Sequence, residues 1–291
     1  MNQSATLAVV GGDIRQAYLA GLLCGDGHTV RTFALERHPI EGCAAVSDLP
    51  SCFTDVQAVI LPLPVQHGNS LLNAPLSNTP YPLIDVLDAI PAGTVTLAGS
   101  VPFWVHARAV QNNLHLIDYL ARDELAIRNA VPTCEGALQL AMEQTSHTIQ
   151  QAHCLVIGYG RIGALLAQKL HALDARVTVS ARSPRDFARI ETQGMQTMDT
   201  RHLAGQLAGF DIIFNTVPAP VLGAAELAGL TPSCLVIDLA SMPGGISPEA
   251  KPPAGCRILH ALSLPGKVAP LTAAHAIYDT IRNILQEEGI L

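Results

Sequence analysis

Charged and aromatic residues are scarce in this sequence, and neither sign of charge is concentrated in a run. Charged residues make up 14% of the 291 positions and aromatic residues 4%. The 24 acidic and 17 basic side chains give a net charge of −7. An acidic chain without a basic run argues against a nucleic-acid or anionic-membrane surface. The 49% of hydrophobic residues, in contrast, is enough for the cores of two domains.

Long apolar runs and cysteine motifs are also absent. No apolar stretch is long enough to span a bilayer. The first apolar run follows no positive charge and soon meets Asp13, so we interpret it as a strand and not as a signal peptide. The seven cysteines include no C-x-x-C pair, which favours reduced thiols in a cytoplasmic protein. The histidines form no metal-binding pair, and we predict no metal site.

Cys134 is the cysteine whose local sequence supports a hypothesis of its own. The stretch VPTCEG has the form of a helix start, where a thiolate is stabilised. The alternative is a packing role, which small apolar thiols commonly have.

Apolar, β-branched runs alternate with helix-length segments in both halves of the chain. This pattern is typical of a parallel sheet and predicts an α/β protein with two doubly wound, Rossmann-like domains. The expected strands of the first half lie at 6–12, 28–35, 57–64, 94–99 and 114–119. Those of the second half are the stretches HCLVIGYG, ARVTVSA, DIIFNTVP, CLVIDLA and CRILHAL.

A connecting helix is predicted to start at Pro132 and Thr133, where apolar residues begin to recur at helical spacing behind a capping residue. The expected domains are 1–130, which would supply substrate or partner contacts, and 131–270, which would bind a dinucleotide. The amphipathic C-terminal segment 271–291 is expected to pack back across the boundary and join the first domain.

Three glycines follow the first strand of the second half, in the sequence GYGRIG. Gly158 permits a tight turn, Gly160 lets the backbone approach a pyrophosphate, and Gly163 lets helix and strand pack closely. The helix start also offers free N–H groups to phosphate oxygens. The corresponding first-half turn, GGDIRQ, has no third glycine, so we predict that the dinucleotide binds to the second domain alone.

The end of the next strand indicates which dinucleotide binds. NAD sites usually place an acidic residue there, on the ribose diol, whereas here Ser180 stands at that position and Arg182, Ser183 and Arg185 follow. Hydroxyls and guanidinium groups would bind a 2′-phosphate, which favours NADP over the alternative, NAD. Solvated loop residues are the other interpretation of the two arginines.

Two later loops, FNTVPAP and IDLASMPGG, leave strands at the carboxyl edge of the sheet, where ligands of open α/β sheets bind. With them, the predicted cofactor-binding residues are Gly158, Tyr159, Gly160, Arg161, Ile162, Gly163, Ser180, Arg182, Ser183, Arg185, Asn215, Thr216, Val217, Pro218, Asp238 and Ser241.

Taken together and in order, these motifs resemble the family of the dipicolinate synthase A subunits. The stretches that carry the resemblance are GGDIRQ, ARDELAIRNAVPTCEG, GYGRIG, SARS, NTVP, IDLASMPGG and LPGKVAP. The resemblance implies a cytoplasmic, oligomeric, NAD(P)-dependent dehydrogenase of the mother cell of sporulating bacteria, which works with a B subunit to make pyridine-2,6-dicarboxylate. It also implies a nucleotide domain similar to that of the D-2-hydroxyacid dehydrogenases. Met242 departs from the family pattern, in which a basic residue is usual.

The implied reaction needs little acid or base catalysis, because hydride loss from a dihydropyridine ring gives an aromatic product. The two substrate carboxylates need donors, for which Arg15, Arg122 and Lys267 are the candidates, and Asp123 is a candidate proton acceptor. A salt bridge that fixes the domain hinge is an equal alternative for Arg122 and Asp123.

Two other functions stay open at this point. A D-2-hydroxyacid dehydrogenase would need an arginine where Met242 stands and a histidine in the late loop that reads LPGKVAP, and His260 is interpreted as a packed core residue. A non-catalytic NADP-binding protein is the second, since a dinucleotide site is compatible with regulation.

Overall fold

The chain forms two compact units, each built on its own parallel sheet. In the computed structural model, which describes residues 4–291, unit 1 comprises the chain up to Asn129 together with Ala269–Leu291, and unit 2 comprises Ala130–Val268. Within the described residues, no helix combines the length and the apolar character needed to cross a bilayer.

Eight strands of the described chain belong to unit 1: β1 Thr6–Val10, β2 Thr29–Phe33, β3 Ala44–Ala45, β4 Ala58–Ile60, β5 Gln66–His67, β6 Leu71–Leu72, β7 Val95–Ala98 and β8 His115–Asp118. Six of them form a parallel sheet in the order β3-β2-β1-β4-β7-β8, and β5 and β6 form a separate antiparallel hairpin.

Six strands belong to unit 2: β9 His153–Ile157, β10 Arg176–Ala181, β11 Gln196–Asp199, β12 Ile212–Asn215, β13 Leu235–Asp238 and β14 Arg257–His260. They form a parallel sheet in the order β11-β10-β9-β12-β13-β14. Both sheets therefore have the doubly wound order of a Rossmann fold, which confirms the predicted fold class.

Ten α-helices of residues 4–291 connect and cover the strands: α1 Ile14–Gly25, α2 Leu49–Phe53, α3 Leu83–Ala89, α4 Phe103–Gln111, α5 Asp123–Gln144, α6 Arg161–Ala172, α7 Pro184–Thr192, α8 Ala224–Leu227, α9 Leu264–Val268 and α10 Pro270–Glu287. Short 3₁₀ turns occupy Tyr119–Ala121 and Thr200–His202.

The central strands are apolar throughout because both faces of each sheet are covered. In β1, Leu7 and Val9 pack into one hydrophobic core while Ala8 and Val10 pack into another on the opposite face. The same alternation recurs in β9, where neighbouring residues enter different cores. Side chains along a strand point alternately to its two faces, so a strand buried on both sides has no polar positions.

The C-terminal helix α10 packs within unit 1. Ile277, Ile281 and Ile284 lie at helical spacing and share a core with Leu19 and Leu23 of α1. The apolar stripe of the amphipathic tail is buried in this way, as the sequence predicts.

The connecting helix begins nine residues before the predicted start. It runs from Asp123, with Pro132 inside it, so the prediction of a helix starting at Pro132 is wrong. An internal proline removes one backbone hydrogen bond, but Leu125 on one side of it and Cys134 on the other are fully buried in different cores. Burial of both ends outweighs the local signal.

Cys134 consequently lies in the middle of α5 and not at a helix start. Burial raises the pKa of its thiol to about 12, so the packing role is the one that the structure supports.

Several strands of the structure are missing from the expected runs. These are the edge strands β3 and β11 and the hairpin β5–β6. Edge strands are short and half-exposed, and Ala44–Ala45 in particular has neither the length nor the apolar pattern of a central strand.

Candidate functional site

The turn between β9 and α6 has a shape that only glycine permits. Gly158 has a φ of +97°, and a Cβ atom there would lie 2.6 Å from Thr216 Oγ1. A Cβ at Gly163 would lie 2.1 Å from the carbonyl oxygen of Gly158. Gly160 has open space on its Cβ side and is the N-cap residue of α6. The helix start is thus open to a ligand at one glycine and tightly packed at the other two.

A cavity of about 460 Å³ opens at this turn, within the range of about 300–1,000 Å³ that ligand pockets occupy. It is lined by Gly158, Tyr159, Gly160, Ala181, Arg182, Ser183, Asp186, Thr200, Thr216, Val217, Pro218, Ala219 and Val221.

The end of β10 places two of the predicted phosphate-binding side chains differently from the expectation. Ser180 is fully buried, and its hydroxyl lies 2.9 Å from Thr200 Oγ1, so Thr200 lines the cavity where Ser180 does not. Arg185 points into solvent, with Nε 3.5 Å from Asp186 Oδ1, and is not among the lining residues. Arg182 is exposed at the cavity wall. Among the predicted donors, Arg182 and Ser183 are those that reach the cavity.

An acidic residue also lines this end of the cavity, and the sequence analysis missed it. Asp186 lies in the first turn of α7, and Ser183 Oγ donates to its Oδ2 over 2.7 Å while capping the helix. The signal was present in the sequence as a serine followed three residues later by an acid, the pattern of a helix start. Asp186 adds negative charge beside Arg182.

Asn215 and Asp238 shape the loops at the carboxyl edge of the sheet from beneath. They are opposite each other at the ends of β12 and β13, both are buried, and Asn215 Nδ2 donates to Asp238 Oδ1 over 2.8 Å. Asn215 also bonds both backbone polar groups of Val217. The amide therefore fixes the loop that carries Thr216, Val217 and Pro218 into the cavity wall.

The PGG sequence lets the next loop fold onto the same pair. The backbone N–H of Gly245 donates to Asp238 Oδ2 over 2.9 Å, and a Cβ at Gly245 would lie 1.8 Å from Asn215 Nδ2. Gly244 has a φ of +87°, and a Cβ there would lie 2.9 Å from the Asp238 carboxylate. Side chains at either glycine would open this network.

Two other predicted neighbours lie away from the cavity lining. Ser241 is exposed in the loop after β13, and Ile162 packs against the core of unit 2 behind the glycine turn. Arg161 is exposed in the first turn of α6.

His260 is not the core residue that the sequence suggested. Its side chain is 63% exposed, and Nδ1 lies 3.5 Å from Asp238 Oδ2. The reason is its position as the last residue of β14, the edge strand of the sheet, where the apolar pattern of the strand no longer determines burial.

Arg15 and Arg122, two candidate carboxylate donors, both have protein partners in unit 1. Arg15 is buried, with Nη2 2.8 Å from Asp13 Oδ2 and 2.7 Å from the carbonyl oxygen of Leu63. Arg122 forms a two-bond contact with Glu287, 2.7 Å for each bond, and also binds Glu124. These carboxylates already balance the two guanidinium groups, which differs from the expectation of free substrate contacts.

Asp123 and Lys267, the remaining candidates, are not confined to a core. Asp123 lies in the first turn of α5 in unit 1, and Lys267 lies in the short helix α9 of unit 2. Both side chains are accessible to solvent.

The corresponding turn of unit 1 is closed. The N–H of Gly12 donates to the carbonyl oxygen of Asn73, which follows β6, over 2.7 Å. A Cβ at Gly11 would meet the side chain of Leu72 at 2.8 Å. The hairpin β5–β6 therefore covers the turn after β1, where the cavity of unit 2 has its counterpart.

Comparisons with known proteins match both units. Residues 6–120 match the family model of the N-terminal domain of the dipicolinate synthase A subunit, and residues 120–241 match that of the D-isomer specific 2-hydroxyacid dehydrogenase NAD binding domain.

Relatives match the chain over nearly its full length. It is 32% identical over 286 residues to the dipicolinate synthase A subunit of Bacillus subtilis (strain 168), covering 97% of this chain and 96% of the relative. The crystal structure of the A subunit from Bacillus halodurans superposes with a TM-score of 0.91 at 30% identity, covering 98% and 99% of the two chains. The Bacillus subtilis structure gives 0.89 at 32% identity, covering 99% and 97%.

Proposed function

Since the chain belongs to the family of the dipicolinate synthase A subunits, we propose that it is an NADP-dependent dehydrogenase that oxidises a dihydrodipicolinate-type intermediate to dipicolinate. Its unit 2 contains an NAD-binding domain of the 2-hydroxyacid dehydrogenase type, which supports oxidoreductase chemistry. The observation that carries the proposal is the open glycine turn of that unit, with Arg182 at the wall of the adjoining cavity.

The residues at this turn fit a dinucleotide. A pyrophosphate needs close approach to backbone N–H groups at a helix start, and the Cβ side of Gly160 is open space. The 2′-phosphate of NADP needs a cationic donor near the end of β10, where Arg182 is exposed. Asp186 would repel that phosphate, so the preference for NADP depends on Arg182.

The chemistry asks mainly for positioning. A bound nicotinamide would accept a hydride, and the dihydropyridine ring would become aromatic, which makes the reaction favourable without an elaborate set of catalytic residues. Thr216 and Val217 form part of the cavity wall. Lys267 is accessible in the same unit and is proposed to bind a substrate carboxylate. Asp123 is proposed to accept the proton.

Unit 1, whose own turn is closed, is proposed to supply substrate or partner contacts. The partner would be the B subunit of dipicolinate synthase, and the chain would work as a homo-oligomer in the cytoplasm of the mother cell of a sporulating bacterium. Family membership supports these assignments.

The test combines the purified chain, the B subunit, NADP and freshly prepared 4-hydroxy-tetrahydrodipicolinate. We expect reduced nicotinamide and the ultraviolet spectrum of dipicolinate to appear together, and neither product to form with lactate or glycerate. A Gly160→Asp variant, which should fold but not bind nucleotide, is the matched control.

Two results would count against this function. Turnover of 2-hydroxy acids at rates ordinary for dehydrogenases would replace it with the D-2-hydroxyacid dehydrogenase alternative. Nucleotide binding without any substrate-dependent absorbance change, with and without the B subunit, would support the non-catalytic alternative.

A further inference from the structure

Two cysteines of unit 1 lie almost within bonding distance of each other. Cys24 is in the last turn of α1, and Cys43 directly precedes β3. Both are free thiols, and their sulfur atoms are 2.6 Å apart. Because a disulfide bond is about 2.05 Å long, the two sulfurs need to approach by only about half an ångström to form one.

The segments that carry the two thiols already pack against each other. Tyr18 and His38 make an edge-to-face ring contact with centroids 6.1 Å apart. One turn further along α1, the Cβ position of Gly21 would be 3.6 Å from Ile40 Cγ2. A third turn brings Cys24 to Cys43, so one face of α1 follows the segment 38–43 over its length. Bond formation therefore requires no rearrangement of the backbone.

The pair differs from the other cysteines in its exposure. Cys24 and Cys43 are half-buried, whereas the other five are buried. A cavity of about 340 Å³ reaches Cys43, and its lining includes His38 and Ile40. A small oxidant has access to this pair and not to the thiols in the cores.

We propose that Cys24 and Cys43 are an oxidative modification site, converted to an intramolecular disulfide by a peroxide. One thiol takes an oxygen atom from hydrogen peroxide, which gives a sulfenic acid and one water molecule. The second thiol then displaces the hydroxyl group, which leaves with a proton as a second water molecule while the S–S bond forms. Two electrons leave the two sulfurs and reduce the peroxide, and thiols such as dithiothreitol reverse the change by exchange.

The disulfide would tether the segment after β2 to α1. That segment also contacts a second part of unit 1, since the N–H of Arg37 donates to the carbonyl oxygen of Leu76 over 2.9 Å. The new bond restricts the unfolded chain between positions 24 and 43 and so stabilises the folded state. For a unit of this size, the melting temperature should rise by roughly 5–10 °C.

The experiment treats the reduced full-length chain with a small molar excess of hydrogen peroxide and counts thiols after denaturation. The count should fall from the seven cysteines of the sequence to five. Digestion with trypsin and a glutamate- and aspartate-specific protease places Cys24, Cys43 and Cys52 on separate peptides. Mass spectrometry should then find the Cys24 and Cys43 peptides joined, two hydrogen masses lighter than their sum.

Three variants serve as controls. Cys24→Ser and Cys43→Ser should each lose the joined peptide and the rise in melting temperature. Cys256→Ser removes a thiol from the Cys234–Cys256 contact of unit 2 and should keep both.

The proposal is overturned by any of three results. These are a thiol count that stays at seven, a link that maps to other cysteines or to a second chain, and a mapped Cys24–Cys43 bond without a rise in melting temperature. Since nucleotide and substrate are absent from the experiment, its outcome is independent of the proposed dehydrogenase activity.

Discussion

Units 1 and 2 have the same strand order and the same strand–turn–helix geometry, but only unit 2 has an open turn. Asp13 and Gly160 are the N-cap residues of α1 and α6, with φ and ψ of −91° and −167° against −87° and −162°. Three residues further on, Gln16 stands in unit 1 where Gly163 stands in unit 2. A carboxylate and an amide therefore occupy in unit 1 the places that unit 2 leaves to backbone.

The difference shows how little of a Rossmann fold determines nucleotide binding. In unit 1 the Asp13 carboxylate caps the helix and pairs with Arg15, so negative charge stands where phosphate would bind. The hairpin β5–β6 adds a physical cover through Asn73. The backbone scaffold is shared, and a few side chains at one turn decide what it binds.

The carboxyl edges of the sheets differ as well. By strand register, Leu61 and Ala98 of unit 1 stand where unit 2 has Asn215 and Asp238. Both residues of unit 1 are buried and apolar. Unit 2 thus replaces an apolar contact by a buried amide–carboxylate pair that organises two loops around the cavity.

The largest expected effect is the conversion of the turn of unit 2 into that of unit 1. Gly160→Asp places a carboxylate close to the pyrophosphate position, and two charges about 4 Å apart near a protein surface interact by about 4 kcal/mol. NADP affinity should fall about 1,000-fold. The helix should remain intact, because aspartate is a good N-cap and the Cβ has open space. Calorimetric titration and thermal melting measure the two effects.

Gly160→Ala is the matched control for charge. Its Cβ occupies the same open space, so its loss of affinity should be much smaller than that of Gly160→Asp. Equal losses in both variants would show that space and not charge distinguishes the two turns.

The second effect concerns the buried pair of unit 2. Asp238→Ala removes a carboxylate that accepts hydrogen bonds from Asn215, Ala240 and Gly245, and it leaves those donors buried without an acceptor. We expect a loss of about 3–4 kcal/mol in the free energy of unfolding, measured by urea denaturation. Asp238→Asn keeps the shape and one acceptor oxygen and should lose less. If both variants were as stable as the wild type, the pair would not be what holds the loops.

The sequence predicted the fold class and the glycine turn because both depend on local patterns. Apolar runs of strand length and the spacing of Gly158, Gly160 and Gly163 are visible in the sequence without tertiary contacts. The start of α5 was missed because burial on both sides of Pro132 overrides the local helix signal.

The side-chain partners at the site were not predictable from sequence in the same way. The burial of Ser180 depends on Thr200, twenty positions away, and the cover over the first turn depends on Asn73, sixty-one positions from Gly12. The position of His260 depends on which strand forms the edge of the sheet. Such contacts are set by tertiary packing, to which strand and helix patterns are insensitive.

The third effect separates NADP from NAD. Arg182→Ala should cost roughly 1.5–3 kcal/mol of NADP affinity and little NAD affinity, since a hydrogen bond to a charged group is lost only with the 2′-phosphate. Calorimetry with both nucleotides measures this. Arg185→Ala, which changes an arginine outside the cavity lining, is the matched control. Equal losses for the two nucleotides, or a wild-type preference for NAD, would contradict the assignment of NADP.

The smallest effect tests how unit 1 holds its additional helix. Arg122 hydrogen bonds hold the pKa of Glu287 below its usual value, so this ion pair stabilises the fold when Glu287 is charged in both states. At pH 7, Glu287→Gln should lower the melting temperature by less than about 3 °C, as for other exposed pairs. The carboxyl pKa is lowered in the folded state, so the contribution is present above the unfolded pKa of about 4.3 and is lost as the pH falls through the folded value. The difference between wild type and variant should therefore close below about pH 4. Glu249→Gln makes the same charge change at an exposed position of unit 2 and should show no such pH dependence. A difference that stays constant from pH 7 to pH 3, or that matches Glu249→Gln, would mean that the apolar contacts of α10 with α1 hold this helix without the ion pair.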